Sequence, residues 1–180
     1  MRATGIVRRI DDLGRIVIPK EIRRTLRIRE ADPLEIFTNQ EGEIMLKKYS
    51  PMGEMRHFAE QYVESLAQTS GHAALMTDRD QFIAAAGGFK KLIGKTIPKE
   101  LEIKMENRTQ FLAYSQDRDF ISLPVDEKRM ITAQAMMPII SAGDVIGMIL
   151  LLEEEPKVRF GEVDMKLLHS AADFLGRMVA

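Results

Sequence analysis

"RIVIPKEIRRTLRI", residues 15–28, changes its hydrophobic period half-way along. From Arg15 to Ile18 polar and branched residues alternate as in a strand, whereas Ile22 and Leu26 stand four apart, the spacing of one helical face. Pro19 separates the two, because its fixed φ and missing N–H suit a strand end or a first helical position. Glu21 then complements the positive end of the helix dipole. The pattern predicts a strand ending at Pro19 and a short helix starting at residue 19 or 20. With Ile22 and Leu26 turned inward, Lys20, Arg23, Arg24 and Arg27 share the outward face, with no carboxylate to balance them there. Such a face repels itself unless an anion covers it.

Charge placement narrows the choice of anion. The chain of 180 residues carries a formal net charge of −1, but residues 1–29 hold nine Arg/Lys (Arg2, Arg8, Arg9, Arg15, Lys20, Arg23, Arg24, Arg27, Arg29) against Asp11, Asp12 and Glu21. A head of +6 therefore precedes a body of −7. This asymmetry points to nucleic acid for the head. A membrane surface fits less well, since the basic helix is about two turns long and no apolar run approaches the roughly 18 residues of a spanning segment. The sequence shows no signal peptide and has no cysteine, which excludes disulfides and thiolate metal sites and fits a cytoplasmic protein.

The first fifty residues read as one small unit. "TGIVRRI" at 4–10 and "RIVIP" at 15–19 have strand character about the turn "DDLG", where Gly14 is free to take a positive φ. A second hairpin pairs "PLEIFT" at 33–38 with "EIMLKKY" at 43–49 across "NQEG", where Gly42 suits a left-handed position. Four short strands and one short helix bury too little apolar surface to stand alone, and no disulfide or metal staples them. Two interleaved copies solve the problem, with Ile6, Ile10, Ile16, Ile18, Ile36, Ile44 and Leu46 in one shared core and every cation repeated about a two-fold axis.

"TGIVRRIDDLGRIVIPKEIRRTLRI", with "DPLEIF" and "LKKY" after it, resembles the swapped-hairpin domain of the AbrB-type transition-state regulators across residues 3–49. The resemblance implies an intertwined dimer, a small swapped-hairpin β-barrel over residues 1–52, whose basic face binds double-stranded DNA. The DNA-contacting positions of that pattern fall on Arg8, Arg9, Arg15, Arg23 and Arg24. Lys20 departs from relatives that are often apolar there, and adds charge to the same face. Arginine suits this use because its planar fork matches phosphate or the O6 and N7 of guanine. The resemblance further implies a regulator, activator and repressor both, of genes late in spore formation, acting in the forespore.

"SPMGEM" at 50–55 marks a boundary, and residues 53–180 follow as a second domain. A helix with Met55, Phe58, Tyr62, Val63 and Leu66 on one face ends at Gly71. Strand patterns follow at 72–78, 81–88, 111–115, 131–141 and 144–155, the first pair joined by "RD" and the last by "AG". A last helix near 160–179 sets Val163, Leu167, Ala171, Phe174, Leu175 and Met178 at helical spacing. This order gives an α+β sandwich with an antiparallel sheet and resembles a GAF domain, a small-molecule sensing fold. The resemblance places an unknown small-molecule ligand on one sheet face, roughly under residues 89–130. Ten of the twelve methionines follow Ser50, which suits a pocket, an ordinary core or contact between protomers alike. The two long helices also carry more apolar residues than one sheet needs. Phe58, Tyr62, Phe174 and Leu175 are therefore expected to join head dimers into a tetramer.

No enzyme chemistry assembles. "GFKKLIGKT" at 88–96 has five residues between its glycines where a phosphate-binding loop needs four, and Pro98 interrupts the helix that should follow. His57, His72 and His169 are scattered, and Asp78 and Asp80 flank a tight turn that favours aspartate for backbone reasons. No cofactor is expected. Two readings remain: a DNA-binding transcription regulator, and an antitoxin-like DNA-binding protein whose C-terminal part neutralises a partner. The regular periodicity of the last 125 or so residues favours the first, because toxin-binding tails are short and flexible.

Overall fold

The structure, a computed structural model, describes residues 5–179, which form two compact units dividing between Tyr49 and Ser50. In the first unit, α1 (Lys20–Thr25) starts directly after Pro19, whose φ of −56° and ψ of 145° turn extended chain into helix. The helix closes in a Schellman turn: the Ile28 N–H donates to the Arg23 carbonyl at 2.7 Å and the Arg27 N–H to the Arg24 carbonyl at 3.3 Å. Arg27 sits at the left-handed position of this turn, φ 53°. It therefore lies past the end of α1 instead of on the helix face where its spacing puts it. Leu26, expected inward, is exposed, and Ile22 is half-buried.

A hairpin of β1 (Leu34–Thr38) and β2 (Ile44–Lys48) follows, with Ile36 opposite Leu46 and Thr38 opposite Ile44 on one face. Gly42, at φ 81°, closes its loop, and Asn39 holds it through the Glu41 and Glu43 N–H groups. Strands are expected over 4–10 and 15–19; among the described residues, 5–10 and 15–19 carry no strand within one chain. Only the turn between them forms, where the Asp11 N–H donates to the Arg15 carbonyl at 3.1 Å and Gly14 takes φ 76°. A strand exists only beside another strand, and the hairpin of this unit pairs with itself. Of the residues read as core, Ile6, Ile10, Ile16, Ile36, Ile44 and Leu46 are exposed and Ile18 is half-buried. Arg2 and Thr4 lie outside the described residues.

The second unit begins earlier than its sequence suggests. Ser50–Glu54 is no linker: Ser50 caps the short α2 (Pro51–Glu54) by accepting the Gly53 N–H at 3.0 Å, and Met52 is fully buried. Helix α3 (Arg56–Ser70) ends at Gly71, φ 77°, as the left-handed stop requires. Five antiparallel strands then form one sheet in the order β4–β3–β7–β6–β5: β3 (Ala73–Thr77), β4 (Phe82–Ala85), β5 (Phe111–Tyr114), β6 (Ala133–Ser141) and β7 (Asp144–Glu153). Ala142 and Gly143, both at positive φ, make the tight β6–β7 turn. Helix α5 (Glu162–Met178) closes the chain.

Alternate residues of β6 and β7 feed two apolar layers. Ala133, Ala135, Met137, Ile149 and Leu151 face α3 and α5, packing with Val63, Leu66, Leu168, Ala171 and Leu175. Met136, Met148, Leu150 and Leu152 face the other way, under a 3₁₀ turn (Lys90–Leu92), α4 (Lys99–Glu106) and the segment 115–131. Both sheet faces are thus covered, the layered arrangement expected of an α+β sandwich. Met52, Met76, Met105, Met136, Met137 and Met148 are all buried, so these methionines fill the core.

Candidate nucleic-acid interface and oligomer surfaces

Lys20, Arg23 and Arg24 project from α1 into solvent, and Arg8, Arg9 and Arg27 are exposed beside it in sequence. Among the described residues no ion pair joins these six to a carboxylate. Arg15 differs from what its sequence suggests. Its Nε lies 2.8 Å from Asp11 Oδ2, and its backbone N–H donates to Asp11 Oδ1 at 2.8 Å. That N–H, and then the guanidinium, hold the Asp11 carboxylate below the usual aspartate value. Arg15 is therefore oriented by Asp11 rather than a free cation, and its side chain stays largely exposed.

Asp32 is a second positioning residue that spacing did not single out. Its buried carboxylate accepts the Arg29 N–H at 2.8 Å and pairs with Lys48 Nζ at 3.3 Å. Lys48 also donates to the Arg27 carbonyl at 2.8 Å, so strand β2 holds the left-handed turn that carries Arg27. The one signal in the sequence is an aspartate directly before Pro33, a turn-forming pair.

In the second unit Phe58, Tyr62 and Phe174 come together, with ring centroids 6.0, 6.2 and 5.9 Å apart. Phe58 and Tyr62 are half-buried, and Phe174 stays 49% exposed, in line along α5 with exposed Val163 and Met178. Leu175, assigned to the same surface from its spacing, is fully buried in the core. The buried stripe of α5 runs instead through Leu168, Ala171, Ala172 and Leu175, one position round from the stripe that begins at Val163. Large apolar side chains occupy both stripes, so periodicity alone does not choose between them.

The region expected to hold a ligand is closely packed. A cavity among Gly88, Phe89, Leu92, Val125 and Arg129 measures about 20 Å³, room for about one water molecule. The lysines of "GFKKLIGKT" make no phosphate cradle. Lys91 Nζ lies 2.9 Å from Asp126 Oδ2, a contact that lowers the Asp126 pKa, and Lys95 donates to the Pro124 carbonyl at 2.8 Å. His72 is held between carboxylates, Nδ1 2.7 Å from Glu153 and Nε2 3.5 Å from Asp164. Burial pushes the Glu153 carboxyl up, but the Glu155 N–H, the His72 ring and the Glu154 N–H outweigh it, leaving the net value below normal.

The model of the stage V sporulation protein T C-terminal domain, described as a transcription factor, matches residues 54–180. Stage V sporulation protein T of Bacillus subtilis is 46% identical over 180 residues, 99% of either chain. This chain belongs to that family. Its head matches the MazE antitoxin model, an antidote-toxin recognition family, over residues 7–54. The transition state regulatory protein AbrB of B. subtilis is 61% identical to the chain over 51 residues, 28% of this chain and 52% of AbrB. The GAF domain of an Acinetobacter phosphoenolpyruvate-protein phosphotransferase superposes with a TM-score of 0.59 at 12% identity, covering 74% of this chain and 84% of that domain. That likeness establishes the GAF fold of the second unit.

Proposed function

We propose that this chain is a DNA-binding transcription regulator of sporulation genes, acting in the forespore cytoplasm, with its basic head on the duplex. The observation that carries the reading is the set of six exposed cations, Arg8, Arg9, Lys20, Arg23, Arg24 and Arg27, that no carboxylate among the described residues neutralises, in a head 61% identical to AbrB. Counterions held by phosphates are released to such a surface, which drives binding and makes it salt-dependent. The short helix limits base contacts, so phosphate contact and shape readout dominate.

The active head is an interleaved dimer. An exposed Ile36–Leu46 face, with Ile10 and Ile16 exposed as well, supports a second copy as the missing half of this unit. The second units join two such dimers into a tetramer through Phe58, Tyr62 and Phe174, an apolar cluster left open beside buried Leu175. Tethered heads raise avidity by roughly 10²–10⁴-fold when both reach one duplex. In the affinity titration that tests this, full-length protein binds a long promoter fragment far more tightly than residues 1–50 at the same salt. Equal affinities refute the reading. The antitoxin-family match supports the second reading, in which a partner protein is neutralised. A stoichiometric small nuclease recovered with the tagged protein would favour it, whereas the folded second unit favours regulation.

A further inference from the structure

Of the seven cations assigned to the duplex, Arg15 is the one that a carboxylate holds among the described residues. The turn that carries it is built around that carboxylate. The Asp11 N–H donates to the Arg15 carbonyl at 3.1 Å and the Gly14 N–H to the Asp11 carbonyl at 3.0 Å. Within the turn, Asp11 Oδ1 accepts the Leu13 N–H at 3.0 Å and the Arg15 N–H at 2.8 Å. Two backbone donors thus fix the carboxylate, and its other oxygen, Oδ2, accepts the Arg15 Nε–H at 2.8 Å. The direction of the guanidinium follows from the turn.

The atom used is informative. Arginine presents its donors in a rigid planar fork, and the Nε contact leaves Nη1 and Nη2 without a hydrogen bond among the described residues. The Arg15 side chain is 69% exposed and that of Asp11 38%. An ion pair this exposed is screened by salt and contributes little to stability. It is better suited to aiming a side chain. Ordering a free arginine on a partner costs rotamer entropy, and Asp11 has removed part of that freedom in advance. The same carboxylate repels phosphate, so a head that bound DNA through charge alone would bind more tightly without it.

We propose that Asp11 is a positioning residue for sequence discrimination, aiming the Nη edge of Arg15 at a base while the other six cations supply attraction to any duplex. The base edge that fits is a pair of adjacent acceptors, such as the O6 and N7 of guanine, which one fork meets with two parallel hydrogen bonds. The proposal rests on the DNA-binding reading of the head and gives it a sign. Neutralising Asp11 strengthens binding to unselected DNA and weakens the choice between sequences.

The test uses full-length protein, a duplex that it enriches from a random pool, and a shuffled duplex of the same length and composition, titrated by anisotropy at several salt concentrations. Asp11→Asn keeps an oxygen for the Leu13 and Arg15 N–H groups but meets Nε with a donor instead of an acceptor. It is expected to bind the shuffled duplex more tightly, with a slope of log K against log salt steeper by about 0.9 for each phosphate that the released Arg15 neutralises. The ratio of enriched to shuffled affinity should fall about tenfold, the discrimination of one bidentate contact. Arg15→Lys keeps the charge, loses the same ratio, and serves if Asp11→Asn fails to fold. The two changes together lose no more than either alone, because both remove one contact. The proposal fails if Asp11→Asn leaves the ratio unchanged or lowers both affinities alike, as a purely structural residue would. It fails equally if Arg15→Lys keeps the ratio, if the two losses add, or if the pool yields no enriched duplex although wild type binds it in a salt-dependent way. Wild type that binds no duplex at any salt concentration instead refutes the DNA-binding reading on which the proposal stands.

Discussion

Gly176 in α5 lies against the backbone of β6 at Ile140, so close that a Cβ built on it would overlap the Ile140 carbonyl oxygen. Glycine inside a helix costs about 1 kcal/mol relative to alanine, and here it lets the helix seat directly on the strand. Gly176→Ala is accordingly expected to destabilise the second unit by about 1–3 kcal/mol despite its better helix propensity. It should also displace Phe174, two residues away. Melting followed by circular dichroism, with sedimentation at matched concentration, checks both effects.

The left-handed Arg27 separates backbone strain from charge. Arg27→Gly relieves a φ of 53° and should stabilise the head by up to about 1 kcal/mol while weakening DNA binding. Arg24→Ala should weaken binding with no gain in stability. Each variant is expected to lower the slope of log K against log salt by about 0.9 for every phosphate that it no longer neutralises. Anisotropy titrations at several salt concentrations decide this, and unchanged slopes in both variants would remove α1 from the interface.

Ile18→Asp or Leu46→Asp places a charge in the proposed shared core of the head. Folding and dimerisation of that unit should then fail together, at a cost of several kcal/mol. A head that stays folded as a monomer, seen by light scattering and circular dichroism, would show that it needs no second copy.

Neighbouring residues of α5 should behave in opposite ways. Phe174→Arg, at an exposed ring, is expected to leave the second unit folded and reduce the proposed tetramer to dimers. Leu175→Arg, in the core, is expected to unfold that unit. Sedimentation velocity on the first and thermal melting on the second distinguish a contact surface from a core position. A tetrameric Phe174→Arg protein would remove the aromatic cluster from the assembly.

The depressed Glu153 value fixes the sign of one pH effect. Its stabilisation is complete above the ordinary glutamate value of 4.5 and disappears as pH falls through the lower folded value. Wild type should therefore lose melting temperature more steeply on acidification than Glu153→Gln, in which the His72 contact no longer titrates through this carboxyl. Parallel acid limbs for the two proteins would contradict the assignment.

Local patterns were sufficient to place α1 at Pro19, the turns at Gly14, Gly42 and Gly71, the β6–β7 hairpin at Ala142–Gly143 and the concentration of cations at the N-terminus, because each depends on a few adjacent residues. The boundary at Ser50, the pairing of Arg15 with Asp11 and the support of Arg27 by Lys48 depend on groups that meet only after folding. The same holds for α5, where Val163, Phe174 and Leu175 look alike in sequence and only packing against the sheet decides which of them is covered. In β6 and β7 both faces are apolar, so alternation cannot tell one layer from the other, and the burial of Gln134 among leucines and methionines could be read only from the register that sets it beside Leu152.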